Sequence, residues 1–239
     1  MKSIGAEIKK IWKETHDVRT LHLEPDEDID FIPGQYCLVS IPGSEKHKDM
    51  RKPFTYASSP TEDYVELTVK KIGDFTTALH GLDVGDRLVL EGPRGESLNF
   101  DKNTERDVIF LAGGSGITPF ISAIRYAVDI GFSKRITLVF SNRTEKDIIY
   151  RKELEELDKR NNFVVINTLT DDWSEDWEGE TGMIDEEILN NHIDGFKEKL
   201  WYICGPPPMI DVMENILLKR NVPEKRIRYE KWMIPGKGD

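Results

Sequence analysis

Cysteine is scarce: Cys37 and Cys204 are the only two in 239 residues. Two thiols so far apart exclude a zinc site with four cysteine ligands and a self-contained four-cysteine iron–sulfur cluster. A reducing cytosol disfavours pairing them as a disulfide. The five histidines are scattered, with no His-x-x-x-His or similar spacing, so no metal centre is expected. Basic charge is in deficit, at 33 Lys and Arg against 44 Asp and Glu, for a net charge of −11. Nucleic acid, which needs a basic surface, is thereby disfavoured as the main partner. No apolar run reaches the roughly 18 residues of a membrane span, and residues 1–7 lack the apolar core of a signal peptide. A soluble cytoplasmic protein with no membrane partner is expected. What the chain does have is 38% hydrophobic and 9% aromatic residues, enough for packed cores. Its length suits two domains.

The stretch Leu111-Ala112-Gly113-Gly114-Ser115-Gly116-Ile117-Thr118-Pro119-Phe120 organises the second half. It follows the apolar run Val108–Leu111, which reads as a buried parallel strand, and precedes a helical pattern from Ile121 to Ala127. Glycines in a strand-to-helix turn let backbone N–H groups approach a phosphate at the positive end of the helix. The same glycines also serve simply to pack a helix close on its strand.

Residues 3 to about 100 read as short strands: Ala6–Trp12, Val18–Leu23, Gln35–Ile41, Tyr64–Lys70 and Arg87–Glu91. Their alternation and the Gly and Pro turns between them predict a small antiparallel barrel. Thr76–Leu82 reads as a short helix, with Phe75 or Thr76 near its N-cap. Arg51-Lys52-Pro53-Phe54-Thr55-Tyr56-Ala57-Ser58 gathers cations, rings and hydroxyls. On an extended strand Lys52, Phe54, Tyr56 and Ser58 share one face and Thr55 lies on the other. That mixture suits a planar ligand with a phosphate tail, and equally an ordinary strand with a solvated basic start. Gly73–Thr77 is a second candidate phosphate seat.

From about Glu105 strands and helices alternate. Asp107–Leu111, Arg135–Phe140, Phe163–Thr168, Trp201–Cys204 and Arg226–Lys231 read as strands. Helices are expected from Pro119 to Gly131, over Lys152–Asp158 and from Ile210 to Arg220. This rhythm predicts a mostly parallel sheet whose ligands sit beyond the carboxyl ends of its strands. The ring-rich turn Cys204-Gly205-Pro206-Pro207-Pro208-Met209 has few backbone donors and shapes a wall. Asp171–Glu178 reads as a solvated acidic loop.

In order and spacing these segments resemble the ferredoxin–NADP reductase family over nearly the whole chain. Lys52–Ser58 is similar to its Arg-x-Tyr-Ser/Thr-x-x-Ser flavin motif, with Lys52 in place of arginine, and Gly73–Thr76 to its flavin-phosphate motif. Gly113–Pro119 and Cys204–Met209 resemble its two NAD(P)H motifs. The resemblance implies a flavin-binding antiparallel β-barrel over 1–101 and an NAD(P)-binding Rossmann-like α/β domain over 102–239. It implies FAD, with FMN as the alternative, held by Arg51, Lys52, Pro53, Phe54, Thr55, Ser58, Val69, Lys70, Gly73, Phe75, Thr76, Thr77 and Trp232. NADPH or NADH would meet Gly113, Gly114, Ser115, Gly116, Thr118, Pro119, Ser141, Arg143, Cys204, Gly205, Pro206 and Met209. Thr55, near flavin N5, Cys204, near the nicotinamide C4, and Glu230 are the implied catalytic residues.

The implied reaction is hydride transfer from NAD(P)H to the flavin, then electron delivery to an acceptor: ferredoxin, another electron-carrier protein or a small molecule such as free flavin. The alternative is a non-autonomous flavin-binding electron-transfer subunit or regulatory module of a larger complex. No acid comes at once after the second strand of the nucleotide domain, where Ser141-Asn142-Arg143-Thr144 stands. Arg143, with Arg151, inclines the expectation towards NADPH. Lys46, His47, Lys48, Arg51 and Lys52 form a basic cluster that would dock an acidic carrier or serve the flavin phosphates. A monomer or homodimer is expected.

Overall fold

A computed structural model describes residues 2–230 of the chain, which divide into two compact units. The first holds residues 2–102 and 118–132, the second residues 103–117 and 133–230.

Six antiparallel strands build the first unit: β1 (Ser3–Lys13), β2 (Val18–Pro25), β3 (Tyr36–Ser40), β4 (Lys52–Thr55), β5 (Val65–Lys70) and β6 (Arg87–Arg94). Their order is β4-β3-β6-β1-β2-β5, and one bridge, Tyr56 to Leu67, reaches from the end of β4 to β5. The expected barrel is thus a curled sheet whose two edges are linked at a single point. Alternating inward residues such as Ile8, Leu21, Leu23, Cys37, Val39, Leu67, Val69, Leu88 and Leu90 make its core. On β5 the pattern breaks, because Val65, Glu66, Leu67, Thr68 and Val69 are all buried. Glu66 meets Arg125 of helix α2 (Thr118–Asp129), which belongs to this unit. The short helix α1 (Asp74–His80) begins two residues earlier than expected: Gly73 is its N-cap, and Thr76 stands at its third position.

The second unit carries the sheet order β10-β9-β8-β7-β11-β12, and every pair in it is parallel. Its strands are β7 (Val108–Gly113), β8 (Ile136–Thr144), β9 (Phe163–Asp172), β10 (Glu180–Thr181), β11 (Leu200–Cys204) and β12 (Ile227–Tyr229). Helices α3 (Arg151–Leu157), α4 (Glu186–His192) and α5 (Pro207–Lys219) complete it. Ile188, Leu189, Ile210, Met213 and Leu217 of α4 and α5 pack on Ile109, Leu111, Trp201 and Ile203 of the sheet. Strand β10 and helix α4 escaped the sequence pattern because each is short and lies within a polar stretch. The acidic stretch divides: Asp171 and Asp172 finish β9, and the exposed residues beyond them form the loop. Among the described residues no helix is long and apolar enough to cross a membrane.

Candidate functional site

In the first unit the chain sets its two candidate ligand segments against each other. Strand β4 lies at the sheet edge beside β3, with Phe54 opposite Cys37 and Thr55 opposite Tyr36. An edge leaves one side of β4 without a partner strand, and Lys52, Pro53, Phe54 and Thr55 are all half-buried. The Phe54 ring lies parallel to that of Phe75 on α1, 6.3 Å between centroids. Two motifs about twenty residues apart are thereby joined through one aromatic pair.

Around this pair the partners are specific. Phe75 is buried and also meets the edge of His47 at 5.8 Å. His47 is itself buried; its Nδ1 bonds Ser44 Oγ at 2.9 Å, and its Nε2 has no hydrogen-bond partner. Beside it Gly73 faces open space where a side chain would be. The Thr76 hydroxyl accepts the N–H groups of Ile72 and Gly73, at 2.9 and 3.0 Å, and donates to the Gly73 carbonyl. It shapes the turn rather than waiting free. Val69 is buried, Lys70 pairs with Asp17 at 3.4 Å, and Thr77 is exposed.

The face expected to carry Lys52, Phe54, Tyr56 and Ser58 together does not continue past Thr55. Tyr56 turns fully into the core, stacked on Phe31 at 4.3 Å, and Ser58 is buried, accepting the Glu66 N–H at 3.2 Å. The bridge to β5 draws this part of the chain inward. Burial raises the Tyr56 phenol and pushes the Cys37 thiol up to about 12. The expected basic docking cluster is partly spent. Lys46 pairs with Asp74 at 2.9 Å, Arg51 with Glu91 at 3.3 Å, and His47 is inside. The hydrogen bond from Lys46 holds the Asp74 carboxyl below the usual carboxylate range.

In the second unit two turns meet at the carboxyl ends of neighbouring strands, β7 and β11, where Cys204 stands opposite Ala112. After β7 comes a single 3-10 turn, Gly114–Ile117. A Cβ on Gly116 would lie 2.3 Å from the Cys204 carbonyl oxygen, and one on Gly113 2.8 Å from Met209 Sδ and from Pro206 Cδ. A Cβ on Gly205 would stand 3.1 Å from the Gly113 nitrogen. Two glycines of the turn are therefore needed for packing. Gly114, at φ +53° with open space around it, is the one positioned to admit a ligand, and Ser115 beside it is exposed. Thr118 and Pro119 fall in the first unit, buried in the first turn of α2, and the expected wall Pro206–Pro208 is the start of α5. Proline is at home there, where no N–H partner is required.

Cys204 is buried, and desolvation together with the Glu230 charge pushes its thiol up to about 12. Burial also raises Glu230 above the usual carboxylate range. Trp232 lies outside the described residues. Ser141 stands opposite Gly113. The two arginines weighed for a 2′-phosphate are both paired: Arg143 Nε and Nη2 with Asp171 Oδ2 at 2.7 and 2.6 Å, and Arg151 with Glu145 and Glu155. Sequence reasoning missed Asp171 because it comes from β9, 28 residues away. It also missed Asn142, whose buried side-chain amide has no partner on either atom; a lone Asn ending an apolar strand was the available signal.

These half-sites fit their expected ligands in kind: a half-buried ring and cation beside an open glycine in one unit, and an open left-handed glycine at a strand-to-helix turn in the other. Residues 6–98 match the oxidoreductase FAD-binding domain and residues 110–215 the oxidoreductase NAD-binding domain. The chain is 30% identical to the reductase component of propane 2-monooxygenase from Mycolicibacterium goodii, over 98% of this chain and 69% of that one. It is 33% identical to the phenol 2-monooxygenase reductase component DmpP of Pseudomonas sp. strain CF600, over 92% and 63%. Among solved structures, the ferredoxin reductase in carbazole 1,9a-dioxygenase matches 95% of this chain and 68% of its own, at 27% identity and a TM-score of 0.82. The chain thus spans about two thirds of the length of these relatives. Two matched domains in this order, with the relatives they bring, make the chain a member of the ferredoxin–NADP reductase family, an NAD(P)H-dependent flavoprotein reductase that uses FAD.

Proposed function

We propose that this reductase serves a protein acceptor, an electron carrier or oxygenase component, and that Lys52, Phe54, Thr55, Gly73, Phe75 and Thr76 hold its FAD. The observation that carries the assignment is the Phe54–Phe75 pair, which makes one surface of the β4 and α1 segments. FAD, when bound, supplies the acceptance of hydride and the release of electrons. The chain's residues bind and orient. Lys52 offers a cation to phosphate, though without the bidentate fork of arginine. Phe54 offers a ring and Thr55 a hydroxyl. Cys204, kept as a thiol by burial and by Glu230, presents a small neutral group at the end of β11. No acid or base is needed for the hydride itself. The functional division is proposed as 1–101 and 102–239, supported by the extents of the two matched domains.

The donor reading changes from the sequence expectation. That expectation rested on Ser141–Thr144 holding no acid, yet Asp171 reaches Arg143 from β9. A carboxylate there suits ribose hydroxyls, and a neutralised arginine is a poor phosphate seat. We therefore favour NADH. A monomer or homodimer in the cytoplasm, consistent with two free buried cysteines, completes the proposal.

Anaerobic titration of the FAD-loaded protein with NADH and NADPH tests this reading. Bleaching of the flavin band, faster with NADH, is expected. A chain that takes up no flavin overturns the assignment, and bleaching only by NADPH overturns the donor reading.

A further inference from the structure

Helix α2 is bound to the chain just beyond β4 by a stripe of three polar residues. Ser122, Arg125 and Asp129 recur at helical spacing on one face. Ser122 Oγ donates to the Ser58 carbonyl at 2.7 Å, and Ser122 is fully buried. Arg125 Nη1 donates to the Ala57 carbonyl at 2.8 Å and to Glu66 Oε2 at 2.7 Å. Asp129 Oδ2 accepts the Thr61 hydroxyl at 2.6 Å. The N–H groups of this segment go elsewhere, Tyr56 to the Gln35 carbonyl and Ala57 to that of Glu66. The sheet thus holds the amides and α2 holds the carbonyls, two and three residues after Thr55.

We propose that Ser122 and Arg125 are positioning residues for the reductase reaction, setting where Thr55 and Phe54 stand by fixing the carbonyls of Ala57 and Ser58. The proposal rests on the assignment of β4 to the flavin. Buried backbone carbonyls need partners, so a side chain that supplies one dictates the path of the chain there. Thr55 is separated from the held carbonyl of Ala57 by one residue, Tyr56, whose own ring is locked in the core. A shift at 57–58 is therefore transmitted to Thr55. Arg125 serves two roles that chemistry can separate. Its charge balances the buried Glu66 carboxylate, and the same Nη1 donates to the Ala57 carbonyl. Lysine keeps the charge on a shorter stem without the planar guanidinium, so the carbonyl bond is the one it gives up. The sequence expectation had placed Ser58 itself at the flavin; here its backbone is the handle by which the flavin strand is held.

The test uses full-length, FAD-loaded protein and the variants Ser122→Ala and Arg125→Lys. Stopped-flow bleaching at saturating NADH gives the limiting reduction rate. Its concentration dependence gives the nucleotide affinity, and the visible spectrum and midpoint potential report the flavin surroundings. The expected result is a limiting rate lower on the order of tenfold, as misplacement of a reacting group produces, with a shifted flavin band and nucleotide affinity within about twofold. Ser122→Ala removes one hydroxyl, so it keeps the question open to refutation even where Arg125→Lys folds poorly. Variants that melt earlier but reduce at the wild-type rate per bound flavin, with an unchanged spectrum, overturn the proposal and leave the stripe a purely structural clamp. Failure of the wild type itself to bind flavin overturns the assignment of β4 instead.

Discussion

Gly116→Ala isolates the packing between the two turns of the second unit. The added methyl would stand 2.3 Å from the Cys204 carbonyl oxygen, 2.6 Å from its carbon and 2.8 Å from the Gly205 nitrogen. All three are backbone atoms, so no side chain can swing aside. Cys204 ends β11, which pairs with β7, the strand leading into the Gly116 turn, and the sheet resists their separation. Overpacking costs about 1–3 kcal/mol, and a backbone obstacle belongs at the upper end. For a chain of this size about 3 kcal/mol lowers the melting temperature by roughly 6–12 °C. Gly114→Ala is the control. Its methyl meets nothing within 4 Å, but its φ of +53° carries a left-handed penalty of about 1 kcal/mol. A loss of roughly 2–4 °C is expected there, together with weaker nucleotide binding, because the methyl enters the space left for a ligand. Calorimetry with nucleotide titration reads both quantities. A Gly116→Ala protein melting within about 1 °C of wild type would falsify the claim that this glycine exists for packing.

Three further outcomes are expected. Phe75→Ala should destabilise the first unit by about 3–5 kcal/mol in urea unfolding and abolish flavin retention on a desalting column; retained flavin would count against the Phe54–Phe75 surface. Asp171→Asn frees Arg143 and should move the NADPH-to-NADH ratio of kcat/KM towards NADPH by roughly tenfold, while an unmoved ratio would remove Asp171 from donor choice. Burial alone would raise Asp107, but hydrogen bonds from Lys199 and the Arg135 N–H win and hold its carboxyl below the usual range. Its stabilisation is then full above the ordinary carboxylate range and fades as pH falls through the lowered value. The gap in unfolding midpoint between wild type and Asp107→Asn should therefore narrow as pH falls from neutral through the ordinary carboxylate range and below, and a constant gap would refute it.

Much of this fold is legible in the chain because its periodicities are local. Apolar alternation in Val18–Leu23 and the run Val108–Leu111 each announce their strand without reference to anything distant. The glycine turn and the flavin-like motifs are equally local. What escaped was set by partners remote in sequence. Arg143 looked unpaired until β9 brought Asp171. Glu66 alternates like a solvent-facing residue and is buried because Arg125, 59 residues on, meets it. The extent of the face beyond Thr55 failed for the same reason, since the bridge from Tyr56 to Leu67 lies outside any local pattern.

Strand β4 has to stand at the rim of its sheet if a ligand is to lie against it, and a rim strand is a template for foreign strands. Pro53 sits in the middle of it, with no N–H to offer. The residue that shapes the ligand strand therefore also makes it a poor seed for aggregation. Pro53→Ala would trade that protection for an additional donor, and the chain loaded with FAD would resist self-association better than the chain without it.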